Sequence, residues 1–180
     1  MLSITIPGAE YYDEHSNMFV QVAEQKLQLE HSLVSVSKWE QKWHKPFLVN
    51  DTKTREEKVD YVRCMTLTQN VDPRVYMGIT DDIMEKIMEY IDDPMTATWF
   101  PEDKNPKVNR EVITSEIIYY WMIALDIPPD YQKWHLNRLI TLIRVCNAKN
   151  KPAKKMSRKD ILAQNRAVNE ARRKALGTRG

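Results

Sequence analysis

Residues 80–94 read TDDIMEKIMEYIDDP and contain the clearest periodic pattern in the chain. Apolar residues recur there at three- and four-residue spacing, which predicts an α-helix with one apolar face. Two acids in the first turn suit the positive end of the helix dipole, and a proline follows the last turn. The residues of the apolar face are Ile83, Met84, Ile87, Met88 and Ile91.

Four other segments show helical signals. One begins near Gln28 and ends before Pro46, and a second begins at Thr54, where Thr-Arg-Glu-Glu is a capping-box pattern. A third, residues 112–125, is apolar nearly all round, so we expect it at the centre of the bundle. The fourth segment follows the third after a short turn and ends near Asn147. The short turn predicts that these two helices pack as an antiparallel pair.

The N-terminus has a different period. Leu2, Ile4 and Ile6 alternate with polar residues, which predicts a strand, and a second strand is expected at residues 18–22 after a polar linker at residues 10–17. The fold class is therefore mainly α. We expect a bundle of about five helices with a small β hairpin (about residues 1–25), all within a body of residues 1–148.

Residues 149–180 form a basic segment. They contain eleven Lys and Arg against two acids, a net charge of +9, which leaves −7 on the rest of the chain. A last helix is expected at about residues 158–176, and because its apolar residues are few, we expect this arm to be partly disordered. Its candidate partner-binding residues are Lys154, Lys155, Arg158, Lys159, Arg166, Arg172, Arg173 and Lys174.

This basic arm is open to three interpretations. It could bind an acidic protein surface, neutralise nucleic-acid phosphates, or remain solvated and only keep the protein soluble. The arm has no aromatic residues between its cations, which does not favour base stacking.

Exposed apolar residues are the second class of candidate. Trp99 and Phe100 are adjacent in a predicted loop at residues 95–109, where they must either tuck under the loop or contact a partner. Met84 and Met88 would offer an adaptable apolar surface wherever their helix is uncovered.

The pattern of reactive residues does not point to catalysis. The four histidines and two cysteines lack metal-type spacing, glycine-rich phosphate loops are missing, and the paired carboxylates fall at helix ends. We therefore predict no catalytic residue, no metal and no cofactor, with His31 and His135 as hydrogen-bonded structural residues. Free thiols at Cys64 and Cys146, no secretory signal and no membrane-length apolar run suggest an intracellular protein.

Several segments together resemble a known family, the tail assembly chaperones of long-tailed bacteriophages. The resemblance spans nearly the whole chain. The segments are LEHSL at 29–33, SKWE at 37–40, CMTLTQNVDP at 64–73, DPMTAT at 93–98, IYYWM at 118–122, QKWHLNRL at 132–139, ARRK at 171–174 and GT at 177–178.

This resemblance implies a non-enzymatic, mainly helical protein of the infected host cytoplasm. Such chaperones bind the tape measure protein, keep it soluble, help to recruit tail tube subunits, and are absent from the mature virion. Self-association is a further interaction open to the arm. Two alternatives remain: a structural tail or connector component of the virion, and a nucleic-acid-binding accessory protein acting through the basic arm.

Overall fold

The computed structural model describes residues 1–13, 17–49, 53–100, 111–150 and 158–177. The chain divides into two compact units, Met1–Asn147 and Ala148–Gly180, which are described separately below. The first contains the strands and most of the helices, and the expectation of a mainly helical chain with an N-terminal β element is confirmed at that level. None of the described helices combines the length and apolar character needed to span a bilayer.

The N-terminal β element is longer than predicted. Its strands are β1 (Leu2–Ile6), β2 (Ala9–Asp13), β3 (Met18–Val22) and β4 (Gln25–Leu29). Strand β1 pairs antiparallel with β4, and β2 pairs antiparallel with β3. The polar linker expected at residues 10–17 is therefore wrong, because β2 occupies its first half, and β3 pairs with β2 rather than with β1.

The two halves of this β element meet at Gly8. A Cβ built on Gly8 would lie 2.8 Å from the backbone nitrogen of Glu24, so only glycine fits where these two segments of the backbone approach each other. The inner half, the β1–β4 pair, is anchored in the core, since Ile4, Ile6, Leu27 and Leu29 are all buried. The outer half, the β2–β3 pair, carries the exposed side chains of Tyr12, Met18 and Phe19.

The helices follow in sequence. They are α1 (Leu33–Trp43), α2 (Arg55–Met65), α3 (Asp81–Asp92), α4 (Ser115–Ala124), α5 (Leu136–Asn150) and α6 (Arg158–Leu176), with 3₁₀ helices at Pro73–Gly78 and Pro129–Lys133. The helical start predicted near Gln28 is wrong, because residues 25–29 form β4 and α1 begins after the N-cap Ser32. The predicted cap of α2 is confirmed, including both hydrogen bonds of the Thr54–Glu57 capping box, and α3 has the expected acids, Asp81 and Asp82, in its first turn.

The core of the first unit lies between the inner half of the β element and the helices. Its largest fully buried side chains come from β1, β4, the helices α1 to α5 and two connecting segments: Trp39, Ile6, Leu27, Leu29, Leu33, Met65, Ile79, Ile87, Ile118, Leu136, Leu139 and His31. Strand β4 is also tied to the end of α2, since the Glu30 N–H donates to the Met65 carbonyl and the Leu67 N–H donates to the Gln28 carbonyl.

Helix α4 differs from its prediction. It was expected at the centre of the bundle, but Tyr120 is 66% exposed and Ile123 is 79% exposed. Only one side of the helix, with Ile118 and Met122, is buried, and that side packs against α1. The short turn predicted between α4 and α5 is wrong, because a 3₁₀ helix separates the two, and the main helix contact of α4 is with α1.

The second unit contains α6, whose bounds match the predicted last helix. Every residue of α6 whose side chain the structure describes is exposed, including Leu162 and Val168. The linker lysines Lys154 and Lys155 lie outside the described residues.

Candidate functional site: an apolar groove beside α3

A groove with a volume of about 500 Å³ lies between α2, α3 and the segment that follows α1. This volume falls in the range of about 300–1,000 Å³ that is typical of ligand pockets. We call it the α3 groove. Its apolar walls are formed by Phe47, Leu48, Val62, Met84, Ile87, Met88 and Ile91.

The floor of the α3 groove is aromatic. The ring centres of Phe47 and Tyr61 are 4.0 Å apart, and the His31 ring lies 5.8 Å from Tyr61 in an edge-on arrangement. Phe47 also meets Trp39 edge-on at 5.2 Å. Because these four rings come from α1, α2 and the segments on either side of α1, and all are buried, the floor is a fixed surface against which a ligand could pack.

A buried carboxylate holds Phe47 in the floor. Glu40 Oε1 accepts the backbone N–H of Phe47 at 2.7 Å, and its Oε2 accepts the N–H of Ser115 at 2.8 Å. Glu40 itself is only 8% exposed, so these two bonds compensate for burying its charge. One residue of α1 therefore fixes both the groove segment and the start of α4.

Two carboxylates of α2, Glu57 and Asp60, fix that helix against the C-terminal end of α1 and the residues that follow it. Glu57 caps α2 and accepts from Lys45 Nζ at 2.6 Å, and its pKa is lowered by the Lys45 hydrogen bond and by the bond from the Thr54 backbone. Asp60 accepts from Lys42 and from the Trp43 indole. These contacts set the position of the α2 wall of the groove.

Two histidines lie next to each other under the groove. The rings of His31 and His135 are 5.0 Å apart and edge-on, His31 Nδ1 is hydrogen-bonded to the Tyr61 hydroxyl, and His135 Nε2 contacts the Tyr90 carbonyl at 3.0 Å. Burial, reinforced by His135, lowers the pKa of His31 to about 3, and burial also lowers the pKa of His135. Both rings are therefore neutral near pH 7, and their charge cannot serve to bind an anion there.

The rim of the groove is charged and asymmetric. Lys58 of α2 and Lys53, which precedes α2, both line the groove, and Lys53 Nζ lies 4.7 Å from the centre of the Phe47 ring. Asp92 lines the α3 side, next to the other exposed acids of that helix. A ligand with an apolar strip and charged flanks would match this arrangement.

Of the four apolar candidates from the sequence, two lie in the α3 groove and two lie outside it. Met84 and Met88 both line the α3 groove, as half-buried side chains. Trp99 is 79% exposed, while Phe100 is half-buried with the Arg144 guanidinium 4.5 Å above its ring. Neither aromatic residue belongs to the groove.

Six of the eight basic candidates lie on α6, in the second unit. Arg166, Arg172, Arg173 and Lys174 are exposed, and Lys174 forms an ion pair with Glu170 at 3.2 Å. Arg158 and Lys159 occupy the first turn of the helix. The described part of the chain contains no group of three or more His, Cys, Asp or Glu residues that could hold a metal ion.

Sequence patterns alone miss the groove floor. His31, Phe47 and Tyr61 are far apart in the chain, and no local spacing connects them. The exposed pair Tyr12 and Phe19, whose rings are 5.2 Å apart at the outer half of the β element, was also missed. The adjacent tyrosines at positions 11 and 12, a residue type favoured in strands, were the available signal for that strand.

No protein-family model, curated protein or solved structure matches this chain.

Proposed function

We propose that the chain is a non-enzymatic tail assembly chaperone that binds the tape measure protein of a long-tailed phage. The observation that carries the proposal is the α3 groove, an open apolar surface lined by two half-buried methionines. A helix can place apolar residues at positions i, i+3, i+4 and i+7 in such a groove. A long helical client offers many segments of that type.

The chemistry of the groove suits a chaperone. Unbranched methionine side chains adapt to differently shaped apolar partners, so Met84 and Met88 can accept several client segments. The aromatic floor below them is held by buried hydrogen bonds and supplies a fixed base. A fixed aromatic floor beneath adaptable methionine side chains favours reversible binding of client segments with different sequences. A chaperone that leaves before assembly ends requires such binding.

Co-expression with the tape measure protein tests this function directly. The wild-type chain should raise the soluble fraction of the tape measure protein, and the double variant Met84→Gln/Met88→Gln should lose most of that effect. Met77→Gln is the control, because Met77 is 49% exposed but lies outside the α3 groove. Equal solubility with and without the wild-type chain would refute the proposal.

The same proposal predicts where the protein is found. A chaperone is absent from finished particles, whereas a tail or connector component would be present in a fixed copy number. Mass spectrometry of purified virions distinguishes the two. A stoichiometric signal from this chain would favour the structural alternative.

Binding of nucleic acid is the second candidate, favoured by the exposed arginines of α6. DNA affinity that depends on Arg166, Arg172 and Arg173 should fall steeply as salt rises, because phosphate contacts release counterions. If the triple variant with glutamine at all three positions binds DNA as well as the wild type, the arm is not the binding element.

A further inference from the structure

Helix α3 presents an acidic face beside the groove. Asp81, Glu85, Met88 and Asp92 follow one another at four-, three- and four-residue spacing, which places them along one line of the helix. Asp81 pairs with Arg55, whereas Glu85 and Asp92 have no ion-pair partner among the described residues. We call this line the acidic face of α3.

Helix α6 presents a line of the same spacing and opposite charge. Leu162, Arg166, Asn169 and Arg173 are four, three and four residues apart, and all four side chains are exposed. Leu162 is 53% exposed, and neither arginine has an ion-pair partner in the described part of the chain. We call this line the cationic face of α6.

The two faces match in register. Glu85 and Asp92 are seven residues apart, as are Arg166 and Arg173, and seven residues span about 10.5 Å of α-helix. Two ion pairs can therefore form at once, whichever direction the helices run. The charges of the two segments of the chain, −7 for residues 1–148 and +9 for residues 149–180, favour the same contact over longer distances.

We propose that the α6 helix of a second copy of the chain docks on the acidic face of α3. Arg166 and Arg173 pair with Glu85 and Asp92, and Leu162 adds apolar contact. Because Met88 and Asp92 also line the α3 groove, the docked helix covers part of it. This self-association goes beyond the proposed function and does not depend on the identity of the client.

Sedimentation velocity of the full-length chain over a range of concentrations tests the contact. The wild type should associate as concentration rises, and added salt should weaken the association by screening the ion pairs. Arg166→Glu/Arg173→Glu in one chain, or Glu85→Arg/Asp92→Arg in another, should raise the dissociation constant about tenfold or more. Arg172→Glu/Lys174→Glu is the matched control, because it changes the net charge equally but lies off the cationic face.

Mixing the two charge-reversed chains shows whether the contact is between copies. In the mixture, the acidic α6 of the first variant can pair with the basic α3 of the second. The unchanged α6 of the second variant can also pair with the unchanged α3 of the first. The mixture should therefore associate about as tightly as the wild type. A wild-type chain that stays monomeric at every concentration overturns the proposal. It is also overturned if the mixture fails to associate, or if the control weakens association as much as Arg166→Glu/Arg173→Glu.

Discussion

Helices α3 and α6 have opposite charges and contrasting surroundings. In the 12 residues of α3, Ile87 and Tyr90 are buried, and Ile83, Met84, Met88 and Ile91 are half-buried. In the 19 residues of α6, all the side chains that the structure describes are exposed. The shorter helix is therefore the one that tertiary packing holds.

The two helices therefore differ in what stabilises them. Burial of apolar side chains supplies most helix stability in proteins, so α3 is fixed by the core of the first unit. Helix α6 depends on its composition, which is rich in alanine, arginine and lysine, all good helix formers. Substitutions in α3 and its surroundings should change stability, whereas those on α6 should change association.

Removal of a core side chain of α3 should have the largest effect. Ile87 is fully buried, and Ile87→Ala should lower the free energy of unfolding by about 3 kcal/mol, since it loses apolar burial and leaves a cavity. Chemical denaturation measures the change. Ile123→Ala in α4 is the matched control, because Ile123 is 79% exposed and should lose far less. Similar losses at the two sites would contradict the assignment of the core.

Acid should destabilise the first unit through its buried histidines, whereas α6 contains no histidine. The pKa of His31 is lowered to about 3 in the folded chain from an ordinary value of 6.5. Between these values the unfolded chain binds a proton that the folded chain does not, so stability falls as pH falls. From pH 7.5 to pH 5 the loss through His31 should be about 2 kcal/mol, and the lowered pKa of His135 adds to it.

Denaturation of the wild type and His31→Gln at both pH values checks this prediction. The variant has no titrating group at position 31, so its drop between the two pH values should be smaller by about 2 kcal/mol. What is compared is the change in unfolding free energy between the two pH values, in the wild type and in the variant. Any loss of stability that the substitution causes equally at both pH values therefore cancels. An unchanged drop in the variant would rule out His31 as a source of the acid sensitivity.

Loss of the α2 cap should have a smaller effect. The Thr54 hydroxyl accepts the Glu57 N–H at 3.2 Å, and Thr54→Ala should lower the free energy of unfolding by about 1 kcal/mol. Thr54→Ser keeps the hydroxyl and should retain most of the stability. If serine and alanine are equally destabilising, the loss comes from the methyl group of threonine and not from the cap.

Local signals in the sequence predicted the elements that depend on local chemistry. The capping box at Thr54 and the apolar period of α3 each lie within a few residues, and both are confirmed. The bounds of α6 could also be predicted, because a charged linker that contains Pro152 precedes it. Such features require no knowledge of distant residues.

Features that depend on distant contacts could not be predicted. Leu29 fits a helical spacing with Leu33 and an alternating spacing with Leu27, and pairing with β1 selects the strand. The groove was missed because Glu40 positions Phe47 through a hydrogen bond that no sequence pattern indicates. Ile123 was expected in the core because its whole segment is apolar, but the described residues leave it 79% exposed, whereas Ile118 on the same helix is fully buried.

The smallest effect is expected at Val168 in α6. It is 45% exposed, so Val168→Ala should change the free energy of unfolding by less than about 0.5 kcal/mol. Alanine is also the better helix former, so helical content measured by circular dichroism should stay constant or rise slightly. Val36→Ala in α1 is the matched control, and because Val36 is fully buried it should cost about 2 kcal/mol. A loss at Val168 as large as that at Val36 would mean that burial holds α6 as it holds α3, and the contrast between the two helices would fail.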